Sequence, residues 1–191
     1  MSHPFQKEEE AAILLLQKTD ENKFIEVLFK RFYAPLGRTV NRIVNDQEAT
    51  EDIVQDVFMK IWNNRKTLEF TISLKSYLYR AAINAALNYL EKNKRLVAYE
   101  QDEFPEPSSN SVEEHLNFKE VEERIKEAID TLPPACKTIF VLSRYEEMSY
   151  REIAESLQLS VKTVENQMGK ALRQLKQQLS VYVKHLLTIL L

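Results

Sequence analysis

The stretch from Ser149 to Lys176, SYREIAESLQLSVKTVENQMGKALRQLK, admits few local structures. Ser149 followed three residues later by Glu152 is a capping box: the hydroxyl takes the Glu152 N–H and the carboxylate takes the Ser149 N–H. A short helix is expected behind it, with Ile153, Ala154 and Leu157 on one face. Gln158-Leu159-Ser160 interrupts that helix, and Ser160 is placed to cap the next. There Val161, Val164, Met168, Leu172 and Leu175 recur at steps of three and four as one apolar stripe. Lys162, Glu165, Asn166, Lys170 and Arg173 fall on the other face. A short helix, a three-residue turn and a longer polar-faced helix form the helix-turn-helix layout. An ordinary helical hairpin is the alternative these residues leave open.

The same periodicity runs through the rest of the chain, and an all-α fold is expected. Only Gly37 and Gly169 are glycine in 191 residues. That scarcity argues against hairpin-rich β structure and against phosphate-cradling loops. A single cysteine, Cys136, has no partner for an internal disulfide, which suits a reducing cytoplasm. The beginning of the sequence lacks the pattern of a signal peptide. The C-terminal VYVKHLLTILL is apolar but too short to span a bilayer.

In chain order, residues 1–22 read as a leader that is either frayed or an opening helix. Phe24 to Tyr33 reads as a helix, with Phe24, Val27, Leu28 and Phe32 inward. Pro35 suits the first turn of a following helix that ends near Val44. Asn45 or Asp46 is placed to cap a third, Glu48 to Trp62. Ile53, Val57, Ile61 and the pair Phe58/Trp62 are its expected core stripe. Asp52, Gln55, Asp56 and Met59 share another face, either a solvated acidic surface or a docking surface for a basic partner.

Asn63 to Ser73 reads as a polar connector carrying Arg65 and Lys66. A long helix begins near Ser73, with Leu74, Tyr77, Leu78, Ala81, Ala82 and Ala85 inward. Lys75, Tyr79, Arg80, Asn84 and Asn88 lie off that stripe. Lys92, Lys94 and Arg95 close the helix, where positive charge complements the dipole. Aromatic side chains beside basic ones are also what single-stranded DNA requires. Leu96 to Asn117 is acidic and rich in Pro and Ser, and reads as a linker. Helix is expected again from Val112 to Asp130, and from Pro133-Pro134 through Tyr145.

The net charge is −3, but its distribution says more. Residues 75–95 and 161–184 each carry +4, while residues 96–120 between them carry −6. Enzyme chemistry finds little support. His3, His115 and His185 lack metal-ligand spacing, and Cys136 reads as a core residue rather than a nucleophile. No cofactor and no small-molecule substrate are expected.

Two sets of residues converge on one family. EATEDIVQDVFMKIW (48–62) followed by SYLYRAAINAALNYL (76–90) resembles the polymerase-binding and promoter-melting regions of bacterial sigma factors. TLPPACKTIFVLSRYEEMSYREIAESLQLSVKTVENQMGKAL (131–172) resembles their C-terminal promoter-binding domain. With a short linker and no third domain, the chain resembles the small extracytoplasmic-function group of the sigma-70 family.

The resemblance implies two helical domains joined by an acidic flexible linker. Residues 23–95 would form the region-2-like domain, 96–118 the linker and 119–180 the region-4-like domain, with 181–191 an apolar tail. Asp52, Gln55, Asp56 and Met59 would dock on the β′ clamp coiled coil of core RNA polymerase, with the β subunit a further contact. The connector, with Arg65 and Lys66, would hold a flipped −10 base. Lys75, Tyr79, Arg80, Asn84 and Asn88 would meet the melted strand and the adjoining duplex. Ser160, Lys162, Thr163, Glu165, Asn166, Gly169, Lys170 and Arg173 would face the −35 major groove. The linker would thread toward the RNA exit path. An anti-sigma factor is a further candidate partner. Gln158 departs from the glycine common in such turns. A plain two-domain transcriptional regulator and a polymerase-binding protein that reads no promoter are the rival classes.

Overall fold

The computed structural model describes residues 4–100 and 118–190, with side chains described over 8–94 and 121–180. Every regular element among them is a helix. Four precede the acidic segment: α1 (Pro4–Thr19), α2 (Glu21–Val44), α3 (Gln47–Asn64) and α4 (Leu74–Glu100). Four follow it: α5 (Phe118–Asp130), α6 (Pro134–Arg144), α7 (Tyr150–Leu157) and α8 (Val161–Leu190).

Local chemistry sets most of the boundaries. Asp20 caps α2 by accepting the Lys23 N–H, and Asp46 caps α3 by accepting the Ala49 N–H at 3.0 Å. Asn45 instead ends α2, in the left-handed conformation that Asn tolerates. The Ser149–Glu152 capping box is formed in both directions. Gln158 ends α7 at φ 55. The Leu159 amide returns to the Ala154 carbonyl at 2.9 Å and the Gln158 amide to Glu155 at 3.3 Å, the Schellman pattern.

Pro35 does not begin a helix. It lies inside α2, which runs unbroken from Glu21 to Val44. An interior proline forfeits one backbone bond and costs about 3 kcal/mol. Here both halves bury apolar side chains in one core, Phe24 and Leu28 before it and Leu36, Val40 and Ile43 after it, so packing keeps the helix whole. The leader resolves to its helical option, with Ile13 of α1 buried in that core. Helix α4 passes Arg95 and reaches Glu100, so residues 96–100 are helical rather than linker. The expected linker from 101 to 117, and the expected start of a helix at Val112, lie outside the described residues.

The two halves share a core. Residues of α2, α3 and α4 form one buried cluster with Ile139, Val141 and Leu142 of α6, Ile153 and Ala154 of α7, and Val164 and Met168 of α8. A second, smaller cluster joins α5, α6 and α8 through Ala128, Ile129, Leu132, Cys136, Ala171 and Leu175. Between those helices Lys137 is buried, its ammonium 2.8 Å from Asp130. Backbone helix continues through the apolar tail to Leu190; whether that tail packs back on its domain concerns side chains outside the described set.

Candidate nucleic-acid and polymerase interfaces

On α3 the core side is Ile53, Val54, Val57, Phe58 and Ile61. Asp52, Gln55, Asp56 and Met59 are all exposed on the other side, and none of their side chains makes a hydrogen bond or ion pair among the described residues. Met59 is 57% exposed. Trp62, expected in the core, is 37% exposed and extends this face by one turn. Its ring instead carries the Arg65 guanidinium at 4.4 Å. Phe29 of α2 is a further exposed aromatic, stacked on Tyr33 at 4.4 Å and edge-on to Phe58 at 5.3 Å. Sequence reading missed Phe29, which adjoins Leu28 of the α2 core stripe but falls just outside it.

The connector between α3 and α4 is irregular. Its own backbone bonds include the Thr67 and Leu68 amides, both 2.9 Å from the Asn64 carbonyl. Arg65 donates from Nη1 to the Trp62 carbonyl at 2.8 Å, and its Nε lies 3.1 Å from Glu21 without aiming its N–H there. Lys66 is exposed, 3.8 Å from the same carboxylate. Ser73 caps α4 by accepting the Ser76 N–H.

Of the α4 residues expected to meet DNA, Asn84 and Asn88 are exposed, with Lys75 and Arg80 half-buried. Tyr79 is not off the core stripe as expected: it is 2% exposed. The α6–α7 turn covers it. Glu146 of that turn accepts the Tyr79 hydroxyl at 2.5 Å and lies 2.5 Å from the Thr39 hydroxyl. Lys75 donates to the Glu146 carbonyl at 3.4 Å, and Arg42 stacks on Tyr145 at 4.3 Å. Burial first, and then the Glu146 carboxylate, push the Tyr79 phenol well above its ordinary range. Sequence periodicity along α4 alone gave no sign that a second domain would cover this face.

The buried stripe of α8 is Val164, Met168, Ala171 and Leu175. Val161 and Leu172, expected on it, are 38% and 42% exposed, because the packed stripe is narrower than the sequence pattern. Lys162, Glu165, Asn166, Lys170 and Arg173 are exposed together, with Ser160 at the helix start and Thr163 and Gly169 half-buried. Ser160 accepts the Thr163 N–H at 3.0 Å, capping the helix. Lys162 pairs with Glu165 at 3.3 Å. A Cβ on Gly169 would meet no atom within 4 Å, so packing within the chain does not demand glycine there.

Cys136 is buried, with Sγ 3.1 Å from the Gln167 side-chain oxygen. Burial raises its thiol above the usual range, which disfavours the nucleophilic thiolate. Among the described residues no helix is long and apolar enough to cross a membrane.

Known proteins of one family resemble this chain on both sides of the acidic segment. The family described as "Sigma-70 region 2" matches residues 28–96, and that described as "Sigma-70, region 4" matches residues 122–175. RNA polymerase sigma factor SigV of Bacillus subtilis is 31% identical over 137 residues, covering 72% of this chain and 80% of that protein. RNA polymerase sigma-H factor of Pseudomonas aeruginosa is 28% identical, covering 87% and 91%. Among solved structures, sigma factor RpoE in complex with the anti-sigma factor NepR from Bartonella quintana aligns with a TM-score of 0.64 at 20% identity, covering 82% of this chain and 96% of that one. CnrH in complex with the cytosolic domain of CnrY aligns with a TM-score of 0.66 at 20% identity, covering 90% and 97%.

Proposed function

Because this chain belongs to the extracytoplasmic-function group of the sigma-70 family, and so directs promoter-specific initiation by RNA polymerase rather than catalysing a reaction, we propose how its surfaces divide that work. The α3 face of Asp52, Gln55, Asp56 and Met59 docks on the β′ clamp coiled coil of core polymerase. The connector and the face of α4 with Lys75, Tyr79, Arg80, Asn84 and Asn88 handle the −10 element. The exposed face of α8 reads the −35 major groove. Residues 23–95 and 119–180 are the two working domains. The acidic segment between them runs toward the RNA exit path, making contact with the β subunit. The protein works in the cytoplasm, with an anti-sigma factor as regulator.

The observation that carries the docking assignment is the partnerless state of the α3 face. Carboxylates flanking a largely exposed methionine have no side-chain partner among the described residues, and exposed Trp62 and Phe29 lie beside them. An acidic rim around apolar contact suits a basic helical partner. A plain duplex-binding regulator has no use for such a face.

Tyr79 adds a condition. Stacking an unpaired base on it is incompatible with the Glu146 contact, so the C-terminal domain leaves α4 before the strand is held. Polymerase binding supplies the competing contacts for both domains. Purified chain added to core polymerase tests the whole assignment: initiation should start at promoters bearing both elements. A charge reversal on α3 should abolish it, and a template lacking the −35 element should weaken it. Duplex binding by the chain alone with no effect on polymerase would favour the regulator instead.

A further inference from the structure

Helix α1 has no role in the division of work above, yet it reaches one distant segment repeatedly. Gln17 donates both amide hydrogens into the connector, to the Arg65 carbonyl at 3.0 Å and the Leu68 carbonyl at 2.7 Å. The Glu10 carboxylate accepts the N–H of Leu74, where α4 begins. These pairs are 48, 51 and 64 residues apart in sequence. Ile13, between them on α1, is buried in the main core, so the helix is anchored by packing as well as by its polar contacts.

The chemistry of each contact is specific. Carbonyls of an irregular segment have no ladder to donate to them, and a primary amide offers two donors from one nitrogen without bringing in a charge. A carboxylate at the first N–H of a helix meets both an unpaired donor and the positive end of the dipole. The connector has little regular structure to hold the same shape unaided.

We propose that α1 is a splint for the connector: Gln17 and Glu10 are positioning residues that set the backbone shape in which residues 65–68 meet unpaired −10 DNA. Neither residue touches DNA. The inference rests on the reading that the connector handles an unpaired −10 base. Their loss flattens discrimination among bases at that position, while polymerase affinity and −35 preference stay intact.

The test uses polymerase holoenzyme assembled with the full chain. The probe is a forked oligonucleotide with a duplex −35 element and a single-stranded −10 element, carrying each of the four bases in turn at each unpaired position. Gln17→Met keeps bulk and loses both donors. Glu10→Leu loses the acceptor, and Glu10→Gln keeps one. Gln17→Met and Glu10→Leu should each reduce the ratio between best and worst base by about fivefold or more, the low end of what one good base contact is worth. Glu10→Gln should restore most of that ratio. Hydrogen exchange should quicken at Leu74 and in the connector, while the amides of Ile53 to Ile61 in α3 stay protected. Parental base preference in folded Gln17→Met and Glu10→Leu overturns the proposal. So does a loss of preference that tracks loss of polymerase affinity or of α3 protection, because that marks general destabilisation. An Arg65→Ala/Lys66→Ala variant separates the two levels. If it also keeps parental preference, the connector reading falls and the splint falls with it. If it shifts preference while the α1 variants do not, the splint alone falls.

Discussion

The Tyr79 hydroxyl donates to the Glu146 carboxylate at 2.5 Å, joining the helix assigned to the melted strand to the turn that leads into the helix-turn-helix. Removing Glu146 leaves a buried phenol without its acceptor, a cost of about 1–3 kcal/mol. That cost falls on the contact between the halves, since each half keeps its own helices and caps. Glu146→Ala should therefore shift the free protein toward an opened form, seen as a larger radius of gyration in X-ray scattering with unchanged helix content. Unchanged scattering would remove Glu146 from any role in holding the halves together.

Alkaline titration gives a second view of the same contact. The folded Tyr79 phenol is raised above its unfolded value of about 10. A raised tyrosine contributes stability that is fully present below about pH 10 and lost as pH climbs through the folded value. The halves should thus separate more readily above pH 10, and Tyr79→Phe should remove most of that alkaline dependence. A transition in Tyr79→Phe identical to the parent would assign it to another group.

The docking face is tested by charge. Asp52 and Asp56 are exposed and make no ion pair among the described residues, so Asp52→Lys with Asp56→Lys should change folding stability by only about 0.5 kcal/mol either way per site. Affinity for core polymerase should fall by at least about tenfold, since like charges now meet a basic partner. Parental affinity in the folded double variant would refute the docking assignment.

What could be read in advance was what is local. The capping box at Ser149, the Asp46 cap and the α7–turn–α8 layout depend on residues within a few positions of one another. Pro35 misled because local chemistry starts a helix there, while packing on both sides keeps one going. Trp62, Val161 and Leu172 have the right spacing for a core stripe, but the neighbouring helices cover a narrower strip. Tyr79 and the α1–connector bonds depend on contacts 48 or more residues apart, for which single-chain periodicity carries no signal.

Gln158 offers a stability test. It closes α7 at φ 55, a conformation in which a Cβ costs roughly 1–2 kcal/mol. A glycine in its place would have more freedom to lose on folding, which offsets part of the gain. Gln158→Gly should still stabilise the protein by about 0.5–1 kcal/mol in chemical denaturation, without altering promoter choice. Destabilisation would mean that the Gln158 side chain supplies more than the backbone angle costs.

On the recognition helix, position separates two classes of contact. Glu165 and Asn166 stand in the first turns of α8, where a helix entering the major groove brings side chains to base edges. Lys170 is exposed one turn further on, better placed for a phosphate. Lys170→Ala should weaken binding about equally on all promoter variants and lower the salt slope by about one unit. Glu165→Ala or Asn166→Ala should instead relax preference at one −35 position, by about 1–3 kcal/mol for each good bidentate contact. Glu165 carries a complication, because Lys162 lies 3.3 Å from it in the free protein. Loss of Glu165 frees that ammonium, so Glu165→Ala should also raise non-specific affinity, whereas Asn166→Ala should not. Holoenzyme on a randomised −35 library resolves both effects. Parental base preference at every position in either variant would remove that side chain from the reading face, and unaltered promoter choice in all three would remove α8 from it.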